Sequence, residues 1–221
     1  MKLFQTLVVV LAIVAFSSSA FAEETVAAKK PAKVYFGVTA NVLMLGKTDV
    51  DVDFTKVSDG VDTGSLSGLA HDFDHSITAG FNVYLEYAIL PWLAVGGQFG
   101  YQALHPTEEE RNEMLTYFHF DPTVRFFWTA APWAEPYIKL APGFLIGRRK
   151  FTDTGFGWNA QVLAGTLFKV GTMGLSLEVG GQFSGFASGQ TMDLPGGKQA
   201  VMDYLFLDRF LLVNVGLVGI L

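Results

Sequence analysis

Apolar residues take every second position over eight separate stretches of the chain. In the second stretch, Phe81, Val83 and Leu85 alternate with Asn82 and Tyr84. Successive side chains of a β-strand point to opposite faces, so this alternation predicts strands rather than helices. The eight stretches cover residues 35–45, 77–89, 92–101, 115–128, 136–146, 157–170, 175–183 and 204–221.

The two faces of these strands differ in composition. One face carries large apolar and aromatic residues, whereas the other is rich in Gly, Asn, Gln and Thr and holds the few charged residues of the strands. The strands of a soluble sandwich would bury their large residues and expose their charges. An apolar face opposite a polar one instead predicts an all-β fold. We expect an eight-stranded antiparallel up-and-down transmembrane β-barrel with its apolar face toward lipid.

The connections between the strands alternate in length. Short turns at 90–91, 129–134 and 171–174 separate longer loops at 46–76, 102–114, 147–156 and 184–203. Short periplasmic turns and long external loops are typical of bacterial outer-membrane barrels. Three tryptophans, Trp92, Trp128 and Trp133, fall at the short turns, where indole rings suit the level of the lipid headgroups. We predict that they form an aromatic girdle.

The N-terminal region has the pattern of a cleavable signal peptide. Lys2 precedes an apolar run over 7–16, and Ala20 and Ala22 form a small-x-small cleavage site. The run is shorter than the roughly 20 residues of a transmembrane helix, which disfavours the alternative of an uncleaved anchor. We predict a signal peptide at 1–22, a short polar leader at 23–32 and the barrel at 33–221, exported to the outer membrane.

Two segments resemble a known family. Pro136-Tyr137-Ile138-Lys139 leading to Gly143, and 155–160 with the sequence GFGWNA, resemble the outer-membrane protein A-like family of small eight-stranded barrels. The resemblance implies a transmembrane domain with a structural role or a small channel. The expected partners are outer-membrane lipid and lipopolysaccharide, with periplasmic chaperones and the barrel-assembly machinery during biogenesis. We expect a monomer, and the net charge of −6 argues against nucleic acid as a partner.

Four charged residues fall on the predicted inner face. Glu86, Arg125 and Glu178 each lie four residues from a short turn, and Lys139 lies four residues after Glu135, so all four are roughly 10 Å above the periplasmic end. Two acids and two bases in one layer should pair, because an isolated charge in a narrow lumen is costly. This layer would act as a plug that holds the barrel shut or as a gate whose pairs exchange partners.

The expected width of the lumen is compatible with a small conductance. The interior of an eight-stranded barrel is only just filled by side chains, which makes a wide pore implausible. Seven glycines on the inner face leave room for water: Gly37, Gly80, Gly96, Gly100, Gly143, Gly165 and Gly180.

A lipid-modifying enzyme and a surface adhesin are the alternatives. An enzyme of this class needs a nucleophile oriented by a base. His75 and Ser76 are adjacent and would point to opposite faces of a strand, and Ser65 and Ser67 lie in a long loop. We predict that the protein is not an enzyme and has no catalytic residues. Adhesion or recognition through the acidic loops stays open.

Two groups of residues in the loops suggest metal binding. Asp49, Asp51 and Asp53 have the spacing of a calcium loop, but Phe54 occupies the position of the glycine that the sharp turn requires. We interpret these aspartates instead as part of a solvated strand extension above the membrane. A second group has no fixed ligand spacing, and it consists of His71, Asp72, Asp74, His75 and His105. We predict neither a metal site nor a cofactor.

Overall fold

The computed structural model describes residues 33–57, 66–67, 71–74, 77–104, 115–128, 131–148, 154–194 and 198–221. The predicted signal peptide and leader lie outside these residues. Ten strands are present: β1 Val34–Val57, β2 Leu66–Ser67, β3 His71–Asp74, β4 Thr78–Leu90, β5 Leu93–Leu104, β6 Leu115–Phe127, β7 Ala134–Arg148, β8 Gly155–Val170, β9 Met173–Leu194 and β10 Lys198–Ile220. The described residues contain no helix that is long and apolar enough to cross a membrane.

Eight of these strands form a closed ring. From β4 to β10 each strand pairs antiparallel with the next, and β1 pairs with both β4 and β10. Strands β1 and β10, whose pairing closes the ring, are in register from Tyr35 opposite Ile220 to Met44 opposite Leu211. The short strands β2 and β3 pair only with β1. The predicted eight-stranded antiparallel barrel is therefore confirmed.

Three strands are longer than the alternation predicts. The interpretation of Asp49, Asp51 and Asp53 as a strand extension is confirmed, because β1 continues to Val57 and pairs with β10. Residues 184–203 were expected in a loop, but the β9–β10 hairpin continues to Leu194 opposite Lys198. A bulge between Met44 and Lys47 shifts the register, and Leu45 there has a φ of 52°. Beyond this bulge the alternation continues on β1, where Asp49 and Asp51 alternate with Val50 and Val52, whereas residues 184–189 are mainly Ser and Gly and resemble a loop.

Large apolar side chains cover the outside of the barrel. Phe120 is 57% exposed, Phe144 73% and Leu217 63%, and similar residues face outward on all eight ring strands. Such an exterior matches the apolar band of a transmembrane barrel, which is about 25 Å tall. We call it the lipid-facing band. Its lower end carries Trp92 and Trp133, which stack on Phe126 and Phe168 with ring centroids 6.3 and 6.0 Å apart.

Charged side chains interrupt the apolar exterior of β1 and β10 near its upper end, just below the exposed Leu207 and Leu205. Arg209 and Asp49 form an outward ion pair at 2.8 Å, and Lys47 lies 3.8 Å from Asp74. Arg209 is twelve residues from the end of the chain at Leu221, which corresponds to a height of about 30 Å for a tilted strand. The barrel therefore extends beyond the lipid-facing band at the end that carries the long connections.

Candidate functional site: the barrel lumen

Three layers of buried side chains fill the lumen. The lower layer lies nearest the short turns and contains Glu86, Arg125, Lys139 and Glu178 with Tyr35, Tyr84, Phe127, Tyr137 and Asn214. The middle layer consists of polar residues: Asn41, Asn82, Gln98, Gln102, His119, Asp121, Asn159, Gln161 and Gln182. The upper layer is mainly apolar and contains Leu43, Leu104, Tyr117, Leu145, Phe186, Phe206, Asp208, Phe210 and Leu212.

The structure brings all four charged residues of the predicted layer together. Arg125 lies between the two acids, with Nε 3.0 Å from Oε2 of Glu86 and Nη2 3.9 Å from Oε1 of Glu178. Lys139 Nζ lies 2.9 Å from Oε1 of Glu178. All four side chains are buried, and alternate positions on β4, β6, β7 and β9 direct them inward. The layer is electrically neutral.

Aromatic rings and hydrogen bonds replace the water that these charges lose. Tyr137 Oη donates to Oε1 of Glu178, and Asn214 Nδ2 donates to Oε2, both at 2.8 Å. The guanidinium carbon of Arg125 lies 4.5 Å from the ring centroid of Tyr137 and 5.0 Å from that of Tyr84. Such cation–π contacts are strongest where water is excluded. The lower layer is therefore a packed ionic cluster in which Glu178 has the fullest set of donors, whereas Nη1 of Arg125 has no hydrogen-bond partner.

The middle layer ties opposite walls of the barrel together. Gln102 on β5 and Gln182 on β9 exchange two amide hydrogen bonds, each 2.8 Å long. These strands are four places apart in a ring of eight, so the pair spans the lumen. Gln161 lies beside the pair and donates to Gln182 over 3.2 Å.

Asp121 is the centre of a second group in the middle layer. Its carboxylate accepts hydrogen bonds from Gln98 Nε2 at 2.9 Å and from Asn159 Nδ2 at 3.1 Å. His119 Nδ1 lies 2.6 Å from the same carboxylate. The partners come from β5, β6 and β8, so this group also crosses part of the lumen.

The inner-face glycines do not leave open space. A Cβ atom built on Gly100 would lie 1.9 Å from Nε2 of His119, and one on Gly143 would lie 2.2 Å from Oδ1 of Asp121. Large neighbours occupy the volume that each glycine vacates, because only glycine permits such a close approach. The prediction that these glycines make room for water is therefore wrong at both positions.

A single acid lies in the upper layer. Asp208 accepts hydrogen bonds from the hydroxyl groups of Thr48 and Tyr117, and from Ser184 at 3.3 Å. Tyr117 projects from β6, on the far side of the ring from β10, so its bond to Asp208 also spans the lumen. Phe186 and Phe206 stack beside it with centroids 4.5 Å apart.

Sequence reasoning missed the cross-lumen partners in the middle and upper layers. Gln102, Gln182 and Asp208 all stand at inward positions, but the pattern of a strand gives only the face and not the partner across the barrel. That partner depends on the stagger between strands, which is set by closure of the whole ring. The predicted tryptophan girdle lies on the exterior, where Trp92, Trp128 and Trp133 are 51%, 42% and 61% exposed.

The sequence-predicted loop groups are only partly described. Among the described residues, no group of three or more His, Asp or Glu side chains is placed to hold a metal ion. The side chains of His71, Asp72, His75 and His105 lie outside the described part, as do those of Ser65, Ser67 and Ser76.

Comparison with known proteins places this fold in a class. No family model matches the sequence, and no curated protein matches it. The structure is similar to that of the outer membrane protein OprG from Pseudomonas aeruginosa, with a TM-score of 0.53 and 9% identity over 86% of this chain and 95% of that one. Less similar structures include AlkL, with a TM-score of 0.44 and 15% identity over 90% and 96% of the chains.

Neisserial surface protein A gives a TM-score of 0.41 with 11% identity over 83% of this chain and 96% of that one. At these identities the likeness is one of fold. The chain therefore has the fold of the eight-stranded outer-membrane β-barrels.

Proposed function

We propose that this protein is an outer-membrane β-barrel with a structural role, closed to solutes at rest, and not an enzyme. The observation that carries the proposal is the set of bonds that cross the lumen in all three layers. Arg125 bridges to acids on two other strands, Gln102 pairs with Gln182, and Tyr117 donates to Asp208. A solute would have to break bonds in each layer in turn.

The energetics of these layers favour a closed state. Removing one partner of a buried ion pair costs about 3–5 kcal/mol, because the other charge is left uncompensated. Each buried amide that loses its partner costs a further 1–3 kcal/mol or so. An ion that passes through would have to compensate such losses in a lumen that the side chains already fill.

A small, mostly closed channel is the second candidate. The observation that favours it is the position of Arg125, which lies 3.0 Å from Glu86 and 3.9 Å from Glu178. A modest rotation of the guanidinium toward Glu178, which Lys139 already pairs, would free the carboxylate of Glu86 to meet a passing cation. In this version the lower layer is a gate rather than a permanent plug.

Location and partners follow from the exterior and the N-terminal region. The apolar band and the signal-peptide pattern support insertion in the outer membrane, where lipid and lipopolysaccharide would surround a monomer. Export and insertion would require periplasmic chaperones and the barrel-assembly machinery. The affiliation with outer-membrane protein A-like barrels is part of the same proposal and is supported by the sequence resemblance.

Solute uptake by proteoliposomes tests the closed state. Refolded protein should let small sugars enter no faster than protein-free liposomes do, whereas a general porin in parallel vesicles should give rapid swelling. Glu86→Gln and Lys139→Met proteins serve as the test of the gate. Swelling with the wild-type protein would contradict the closed scaffold, and ion flux that appears only in the two variants would favour the gated channel.

A further inference from the structure

Asp208 is a buried acid that the proposed plug does not use. Its carboxylate is 2% exposed and lies between β1, β6 and β9, each of which supplies one hydroxyl donor. Among the described side chains, no Lys, Arg or His lies within 4 Å of it. This contrasts with Glu86 and Glu178 of the lower layer, which are both paired with bases.

The position of Asp208 relative to the membrane matters for its ionisation. Its neighbour Arg209 faces outward and pairs with Asp49 about 30 Å above the lower end of the barrel, beyond the lipid-facing band. The upper layer is therefore close to external water, and a local opening would hydrate Asp208 from outside.

Burial raises the pKa of Asp208 from 3.8 to about 6, even though the three hydroxyl donors lower it, and the negative charge of Asp49 raises it further. Loss of water disfavours the charged carboxylate more strongly than hydrogen bonds to it can compensate.

We propose that Asp208 is a proton-operated latch that tightens the external end of the lumen in acid and relaxes it at neutral pH. The latch regulates the closed lumen of the proposed function and therefore rests on it. Protonated Asp208 keeps its bonds to β1, β6 and β9 and removes the one unpaired charge from the apolar layer. Ionised Asp208 attracts water into the layer and favours its local opening.

The sign follows from proton linkage. The pKa of the closed form is about 6, and in an open, hydrated layer it returns toward 3.8. The closed form therefore binds the proton more tightly, so closure strengthens as pH falls through 6 and the effect is complete below 3.8. Between pH 7.5 and pH 5 the closing equilibrium should shift by about tenfold.

The other titratable and charged groups near Asp208 on each strand are few. On β6, Tyr117 donates to it, and His119 is directed to Asp121 instead. Asp49 on β1 and Arg209 on β10 face outward and pair with each other. Ser184 on β9 is neutral. Asp208 is thus the group in the upper layer whose charge changes in this pH range.

Amide hydrogen exchange of the refolded protein in lipid nanodiscs tests the latch. After correction for intrinsic rates, amides around Phe206 and Phe210 should be about tenfold better protected at pH 5 than at pH 7.5. Amides of the lower layer, around Arg125 and Lys139, should show no comparable change. This readout does not depend on conduction, so a leaky barrel would overturn the proposed function and leave the latch measurable.

Two variants identify the group responsible. Asp208→Asn should give high protection at both pH values, whereas Asp51→Asn, an exposed acid on β1, should respond like the wild type. If Asp208→Asn does not fold, Tyr117→Phe removes one donor and should move the midpoint of the response to higher pH. The latch is overturned if protection of the wild-type protein does not change with pH. It is also overturned if the pH response persists in Asp208→Asn, or if its midpoint does not move in Tyr117→Phe.

Discussion

The two ends of the lumen are blocked by opposite kinds of chemistry. The lower layer pairs two acids with two bases inside a sheath of tyrosines, and the upper layer packs phenylalanines and leucines around one acid with no base. Both layers fill the lumen with side chains, but only the lower layer is electrically self-sufficient. In the proposed function the lower layer is the firmer obstruction and the upper layer the one that responds to pH.

The difference also determines how each layer fails. An ionic cluster fails when one member is lost, because its partner remains charged and buried. An apolar layer fails in proportion to the volume removed, since the surrounding side chains relax only in part. Substitutions in the two layers should therefore separate these modes. Two such substitutions and two in the middle layer follow in order of expected effect.

Loss of Arg125 should be the most damaging change. Arg125→Ala leaves Glu86 without its base and should lower the free energy of unfolding by about 3–5 kcal/mol. Thermal unfolding in micelles, followed by heat-dependent gel mobility, measures the loss. Lys139→Met is the matched control with a smaller effect, because Glu178 keeps Tyr137 and Asn214 as donors. Unchanged melting of Arg125→Ala would refute the ionic account of the lower layer.

A cavity in the upper layer should come next. Phe186→Ala removes a ring that stacks on Phe206 and should lower the free energy of unfolding by roughly 3 kcal/mol. Phe144→Ala is the control, because Phe144 is 73% exposed on the lipid-facing side. Equal losses in the two variants, measured by denaturant titration, would mean that the upper layer is not a packed core.

The paired amides of the middle layer permit a double-mutant cycle. Gln102→Leu leaves the Gln182 amide without its reciprocal partner and should lower the free energy of unfolding by about 1–3 kcal/mol. The double variant Gln102→Leu with Gln182→Leu should recover part of this loss, because both polar groups are then absent. Strictly additive losses would show that the two side chains do not bond across the lumen.

The smallest effect concerns the close approach at Gly100. Gly100→Ala should displace the His119 ring and lower the free energy of unfolding by about 1–2 kcal/mol. Gly97→Ala on the same strand faces outward, where the nearest atom to a new Cβ is 3.7 Å away, and should be nearly neutral. If chemical denaturation showed a larger loss of stability in Gly97→Ala than in Gly100→Ala, the space beside Gly100 would have to be open.

The fold was predictable because the alternation of side chains identifies strand faces directly. The strands 77–89 and 136–146 agree closely with Thr78–Leu90 and Ala134–Arg148. The extension of β1 was also predictable, because Asp49 and Asp51 alternate with Val50 and Val52. The extension of the β9–β10 hairpin was not, because residues such as Ser184 and Gly185 resemble a loop and only their pairing makes them a strand.

The candidate site was predictable only where charge made it conspicuous. Glu86, Arg125, Lys139 and Glu178 are inward charges equidistant from the turns, so their common height could be counted along each strand. The residues of the upper layer are ordinary Leu and Phe at inward positions, and Asp208 stands among them without any distinguishing motif. Their contact requires the stagger of the closed ring, which a single strand does not encode.

The most direct test of the closed lumen is planar-bilayer conductance of the refolded wild-type protein at neutral pH, with folding verified by gel mobility. The account predicts a silent bilayer, and it predicts openings only when Arg125→Ala is combined with Phe186→Ala, which disrupts the lower and upper layers together. Frequent discrete openings of the wild-type protein under the same conditions would contradict it.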